Sequence, residues 1–304
     1  MTDRLTGFLE RELAVAIPAE IETAAATLAR DLGGVAVLFY GSVLRTGDLD
    51  GVLDFYVLTA GPKGSPLRRA GLRWLWPDVS FHEIAVGKHV LRAKVATMPI
   101  DTFARAARGD LVDTTIWTRF VQPAALVWQT GQGTGQQVLA AVAAAAITAA
   151  RFAAGLGPAE GTPGDYWAAL FRQTYKAELR VEPPGREREI LRGDPARYDV
   201  LLPLAWEAGG IAFAARGTAI APQLAPTQRD TILKTWRTRA RLGRPLNVAR
   251  LAKAAFTFEG AARYGLWKIA RHTGIHLPLT PWRERHPILA APGVLWRVLR
   301  ARPR

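Results

Sequence analysis

The residues with the clearest chemical potential lie between Tyr40 and Leu58. An apolar run, Val35 to Tyr40, ends in Gly41-Ser42, and after eleven intervening residues Asp54 stands inside a second apolar run, Gly51 to Ala60. A Gly-Ser pair at a strand end offers backbone N–H groups and a hydroxyl to phosphate, because the absent Cβ lets the chain approach closely. A carboxylate on the neighbouring strand would hold a Mg2+ ion that neutralises phosphate charge. Alternate strand residues share a face, so a second metal-binding acid belongs at position 56, where the chain has Tyr56. Asp48 and Asp50 fall in the intervening loop and read as solvated turn residues. A tight turn followed by one polar strand residue is an equally good reading of these letters alone.

The elements that must hold these residues follow from periodicity. An opening helix is expected over about Thr6 to Arg30, interrupted near Pro18 and stopped by Gly33-Gly34. Strands follow at Val35 to Tyr40 and Gly51 to Ala60, then a basic helix in SPLRRAGLRWLW, and a hairpin from SFHEIAV and HVLRAKVATM about a Gly-Lys turn. Helices are expected at Ile100 to Ala107 and Asp113 to Val121, a short strand at ALVW, and helices over Gln136 to Leu156, Gly164 to Arg180 and Tyr198 to Arg216. AIAPQLAPTQ reads as a linker. The expected fold class is α/β, with a mixed-sheet unit at 1–130, a mainly helical unit at 131–224 and a basic helical segment at 225–304.

Composition narrows the function classes. With 304 residues, 49% hydrophobic and 22% charged, the chain is neither a disordered polyelectrolyte nor an integral membrane protein by composition. Its longest uncharged apolar stretch, Val138 to Ala150, is alanine-rich and too short to cross a bilayer of about 30 Å. The N-terminus lacks the layout of an export signal, and with no cysteine there is no disulfide partner, thiolate nucleophile or cysteine-ligated zinc. The histidines have no zinc-site or triad spacing. His82 falls on a strand near the expected cleft, where a hydrogen-bonded strand histidine is the plainer reading.

The formal charge of +14 resides wholly in residues 225–304, which hold 17 basic and 3 acidic residues, while the rest of the chain is balanced. Such a segment is drawn to polyanions. Trp236, Trp267, Trp282 and Trp296 are interleaved with its arginines, and its last stretch sets Val294, Leu295, Val298 and Leu299 against Arg297, Arg300 and Arg304. That is the pattern of a helix lying in an anionic membrane interface, and equally of an amphipathic helix docked on its own domain. No aromatic-glycine-basic RNA motif accompanies the charge, which disfavours nucleic acid.

The Gly-Ser, spacer and acid arrangement resembles the nucleotidyltransferase superfamily. Over most of residues 35–210 the chain looks similar to the mitochondrial-type phosphatidate cytidylyltransferase family, soluble peripheral enzymes in which the Gly-Ser element precedes a Leu-Asp-Phe strand with no second adjacent acid, as in Leu53-Asp54-Phe55. RAKVATMPID, with Lys94, matches that family's lysine-bearing strand, and RFVQP, with Arg119 and Pro123, its Arg-x-x-x-Pro element. The alanine-rich helix and YWAALFRQTYKAELRVE follow in the same order. The resemblance implies a nucleotidyltransferase-like sheet and transfer of CMP from CTP to phosphatidic acid, giving CDP-diacylglycerol and pyrophosphate. It also implies that Tyr40, Gly41, Ser42 and Arg119 meet the CTP, that Asp54 binds Mg2+, and that Lys94 pairs with a phosphate. Glu178 would replace an aspartate of the family as a second metal ligand or base-like carboxylate. A cytoplasmic enzyme, peripheral on the inner face of the membrane, is expected. Another phosphate, phosphonate or RNA acceptor, or a non-catalytic membrane scaffold, is the alternative.

Overall fold

A computed structural model describes residues 2–41, 43–44, 47, 51–62, 75–178 and 186–301. Residues 65–74 of the expected basic helix and the positions Ser42, Asp48 and Asp50 lie outside the described residues. The chain is α/β: a mixed five-stranded sheet with helices on both faces, followed by further helices.

Helices α1 (Thr2–Leu13) and α2 (Ala19–Leu32) open the chain, separated at Pro18, and α2 ends on Gly33 in the left-handed region. Strands β1 (Gly34–Tyr40), β2 (Val52–Thr59), β3 (Asp78–Val86), β4 (His89–Pro99) and β5 (Ala124–Gln129) lie in the order β3-β4-β2-β1-β5. Only β2 and β4 run parallel; the other neighbours are antiparallel. Helices α3 (Ile100–Ala107) and α4 (Thr115–Phe120) connect β4 to β5.

Alternation divides the strands between two cores. Val37, Phe39, Phe55, Val57, Ala93 and Val95 pack against Ile21, Ala24, Ala25 and Leu28 of α2. Ala36, Leu38, Tyr56, Leu58 and Met98 face the opposite way, into a larger core with α1, α3, α4 and the helices that follow. This second face carries the candidate site.

Helices α5 (Gln132–Leu156), α6 (Pro163–Ala177), α7 (Arg186–Arg192) and α8 (Pro195–Ala208) come next. Thr162 and Asp165 form a reciprocal cap on α6, and Asp194 caps α8 by accepting the Arg197 N–H. Helix α5 is 25 residues long, longer than the expected apolar stretch, and is long and apolar enough to cross a membrane; 78% of its most apolar window is buried inside the protein. Two expectations are corrected here. The helix expected to reach Arg216 stops at Ala208, before Gly209-Gly210, and the expected linker contains a strand. Residues Phe213–Arg216 (β6) and Ala219–Pro222 (β7) form a hairpin, with Ile220 buried and exchanging backbone hydrogen bonds with Gly161.

Helix α9 (Pro226–Thr257) is the chief element of the basic segment. Its first half is docked by Ile232 and Trp236, both buried, and Trp236 packs against Phe152 of α5. Trp236 is therefore a core residue, which for this part of the segment is the docked reading and not the interfacial one. Arg239 is buried too: its Nη2 donates to the Gly109 carbonyl at 2.5 Å and its Nη1 to that of Leu111. The larger core thus draws residues from both sides of positions 130 and 224. After α9 the chain adds a bridge to the β3 edge, Glu259 to Ser80, with the Phe81 N–H donating to the Glu259 carbonyl at 2.9 Å. Helices α10 (Ala261–Thr273), α11 (Pro281–Arg285) and α12 (Pro287–Ala301) follow, with Trp282 and Trp296 about half exposed.

Candidate active site

Strand register builds the centre of the site. Tyr40 of β1 is the cross-strand partner of Asp54 of β2, and Asp54 is the partner of Lys94 of β4, so three polar side chains form one row on the face of the larger core. Directly after β1, Gly41 adopts φ 98°, a conformation that L side chains rarely occupy. A Cβ there would lie 2.9 Å from Asp54 Oδ2. Glycine is thus required twice over, by backbone conformation and by the room needed beside the carboxylate.

Above the row, Arg119 reaches down from α4. Its Nη1 donates to Tyr40 Oη at 2.8 Å, and its guanidinium lies 5.0 Å from the Tyr40 ring centre and 5.7 Å from that of Tyr56. Tyr56, where a second acid would stand, is buried against Tyr40, Phe103 and Phe120. It provides an aromatic floor for the arginine in place of a metal ligand.

Glu178, the residue after α6, is buried. Its Oε1 accepts hydrogen bonds from the Thr114 hydroxyl at 2.5 Å and the Thr115 hydroxyl at 3.4 Å. This ties the end of α6 to the start of α4, the helix that aims Arg119.

The fourth wall comes from an unexpected place. The second half of α9 brings Asn247, Arg250, Leu251 and Lys253 to a cavity of about 300 Å3 that is also lined by Tyr40, Tyr56, Lys94, Arg119 and Glu178. Arg250 forms an ion pair with Asp113 and sits 4.3 Å from the Trp76 ring centre. Lys253 forms an ion pair with Asp78 at 2.5 Å and donates to the carbonyls of Leu75 at 2.6 Å and Pro77 at 3.3 Å. Reading by sequence assigned these cations to a membrane-facing segment. Their spacing of three residues put them on one helical face, but nothing in the letters said that this face meets the sheet.

Electrostatics follow from burial. Desolvation raises the pKa of Asp54, an effect that Lys94 and Arg119 oppose. Burial likewise raises the Tyr40 phenol far above its ordinary value, against the pull of Arg119, so Tyr40 is a neutral hydrogen-bonding group at physiological pH. His82 is not at this site. It belongs to the opposite sheet face, where its Nε2 is 2.8 Å from Ser80 Oγ and burial lowers its pKa.

The donor set fits a magnesium ion at Asp54. A desolvated carboxylate gains from a cation, and the space beside Oδ2 exists only because residue 41 lacks a Cβ. Among the described residues no cluster of three or more His, Asp or Glu side chains is present. Mg2+ suits such a sparse set, since it commonly takes one or two carboxylates and completes its shell with water and phosphate oxygens. The structure therefore brings Tyr40, Gly41, Asp54, Lys94, Arg119 and Glu178 to one region, whereas Ser42 lies outside the described residues. Sequence reading missed Asp113, Thr114, Thr115, Arg250 and Lys253. Neither a scan against protein-family models nor a search of curated proteins finds a match to this chain.

Proposed function

We propose that the chain is a Mg2+-dependent nucleotidyltransferase that moves CMP from CTP to phosphatidic acid, releasing pyrophosphate and forming CDP-diacylglycerol. The observation that carries this reading is the Tyr40–Asp54–Lys94 row beside Gly41, with Arg119 above it. It combines a desolvated carboxylate suited to a metal, a glycine packed closely beside it, and two cations, Lys94 and Arg119, that line the cavity.

In the reaction, an oxygen of the acceptor phosphate attacks the α-phosphorus of CTP. The bond from that phosphorus to the bridging oxygen of the β-phosphate breaks, and pyrophosphate leaves with the bonding electrons. The acceptor is already anionic, so no strong base is needed; the barrier is repulsion between two anions. Lys94 and Arg119 would offset that repulsion through positioning and preorganised charge. Asp54 would hold Mg2+, which supplies further neutralisation of the phosphate oxygens when bound. Tyr40, kept neutral by burial, would fix Arg119 in place, and Glu178 would steady α4 through Thr114 and Thr115.

A lipid acceptor requires a protein that can reach a bilayer. The half-exposed Trp282 and Trp296, the exposed Leu289 and the basic surplus of the C-terminal segment support adsorption on anionic lipid, at about 1 kcal/mol per basic residue near the surface. The test is incubation of the full chain with labelled CTP, Mg2+ and vesicles containing phosphatidic acid, beside Asp54→Asn. Lipid-linked cytidine from the parent and not from the variant is expected. Absence of product from the parent would defeat the reading, and product with ATP or GTP in place of CTP would correct the choice of base.

A further inference from the structure

Transfer between two phosphates needs two anion sites, and the row on the sheet supplies one. The opposite wall of the cavity offers Arg250 and Lys253, whose side chains are used differently. Lys253 has two backbone carbonyls and Asp78 around its ammonium group, which anchors α9 to the segment before β3. Arg250 is only partly engaged. Its Nη1 donates to Asp113, whereas Nε and Nη2 are shielded from solvent with no hydrogen-bond partner.

These two nitrogens form the edge of the guanidinium that presents parallel N–H groups, the geometry that matches two oxygens of a phosphate or carboxylate. Buried donors without acceptors are costly, so an unfilled guanidinium edge on a residue that lines the cavity calls for an explanation. Trp76 holds the guanidinium plane from one side. The intramolecular partner, Asp113, is a singly charged oxyanion, which a doubly charged one can displace. At the rim, Leu251 is 61% exposed, a place for the apolar remainder of a ligand whose charged end lies inside.

We infer that Arg250 is the ligand for a phosphomonoester, the acceptor's phosphate, and that Asp113 holds it in readiness and competes with that phosphate. The identification of the phosphate as the acceptor's rests on the proposed reaction, in which the sheet row takes the nucleotide; the phosphomonoester site itself rests on the geometry of α9. Lys253 fixes the helix and adds positive potential.

Titration calorimetry on the full chain tests this with four probes: short-chain phosphatidic acid, glycerol 3-phosphate, short-chain phosphatidylglycerol as a phosphodiester control, and CTP with Mg2+. Arg250→Gln should weaken binding of the monoesters by about tenfold or more, the loss of a charge-assisted pair of hydrogen bonds, with CTP affinity changed by less than about twofold. Arg250→Lys keeps the charge but not the fork and should fall between. Asp113→Asn retains the oxygen that accepts the Thr115 N–H and removes the competing charge; it should tighten monoester binding several-fold. This opposite sign separates a ligand role from a structural one, because a residue that merely braces the fold would make both variants weaker binders.

Stronger binding of short-chain phosphatidic acid than of glycerol 3-phosphate supports the site with a lipid source. Equal binding supports it with a soluble source. Loss of CTP affinity in place of monoester affinity, phosphodiester binding as tight as monoester binding, or weaker binding by Asp113→Asn would overturn the assignment. If the binding pattern holds and the parent transfers no cytidylyl group, the proposed reaction fails and the phosphomonoester site stands.

Discussion

The two walls of the cavity are held by different kinds of bond. On the sheet side, Tyr40, Asp54 and Lys94 are aligned by backbone register, and Gly41 by a backbone conformation. On the helix side, Arg250 is held by a side-chain ion pair to Asp113, and Lys253 by an ion pair to Asp78 and two backbone carbonyls. A register slip of a single residue would turn every side chain to the other face. An ion pair can exchange its anion. The first wall is thus suited to geometry that must not vary, and the second to a group that meets an incoming charge.

Substitutions can break or sharpen this contrast. The largest expected effect is at Asp54: Asp54→Asn should reduce the proposed cytidylyl transfer by about 10³-fold, the scale of losing a preorganised electrostatic group, without lowering the melting temperature. The second half of that expectation follows from the sign of the shift. A carboxylic acid whose folded pKa is raised favours the fold while protonated, and that contribution is lost as pH rises through the folded pKa, so the neutral amide removes an unfavourable buried charge at neutral pH. For the same reason the metal-free parent should lose stability relative to Asp54→Asn as pH rises through the raised folded pKa of Asp54; paired denaturation curves across pH check this.

Gly41→Ala should cut activity about 10²-fold, the scale of a displacement of about 1 Å at the reacting centre, because its Cβ would push against Asp54 Oδ2; initial rates beside a melting curve measure it. Glu178→Gln, which weakens the hold on Thr114 and Thr115, should cost about tenfold in kcat, as losses of supporting hydrogen bonds do. A much smaller loss would show that α4 is positioned by its own packing. Arg239 sharpens the contrast from within α9. It lies about three turns before Arg250 and donates to fixed backbone carbonyls, so Arg239→Met should lower stability by about 2 kcal/mol in chemical denaturation and leave monoester affinity unchanged. Smallest of all, Trp296→Ala should weaken binding to anionic vesicles by a few-fold and leave transfer to a soluble short-chain acceptor intact.

Much of the sheet was legible because its strands are bounded by strong local signals: Gly33-Gly34 before β1, the Gly-Lys turn between β3 and β4, and alternation in Val35 to Tyr40. Asp54 stood out because a carboxylate inside an apolar strand demands a reason. The β6–β7 hairpin was misread because Phe213 to Arg216 continues the apolar character of α8, although Gly209-Gly210 carried the stop signal. The α9 wall was illegible for a different cause. Its charges suggested a solvated or lipid-facing surface, and Trp236 an interfacial residue, because the acids that recruit Arg250 and Lys253 lie more than 130 positions away in the chain. Local pattern reports which residues share a helical face; it does not report what that face meets.

The bridge from Glu259 to Ser80 bears on how the C-terminal segment can be studied. Strand β3 is an outer strand of the sheet, and this bridge, together with α9, screens part of its unpaired backbone. Cutting the chain ahead of Pro226 would bare that edge and strip Ile232 and Trp236 from their seats, leaving a product prone to self-association. A shortened chain that fails to sediment with vesicles, or that pellets without them, would then be reporting on solubility. Point changes at Trp282 and Trp296 leave the edge covered and are the sounder way to ask what the tail does at a membrane.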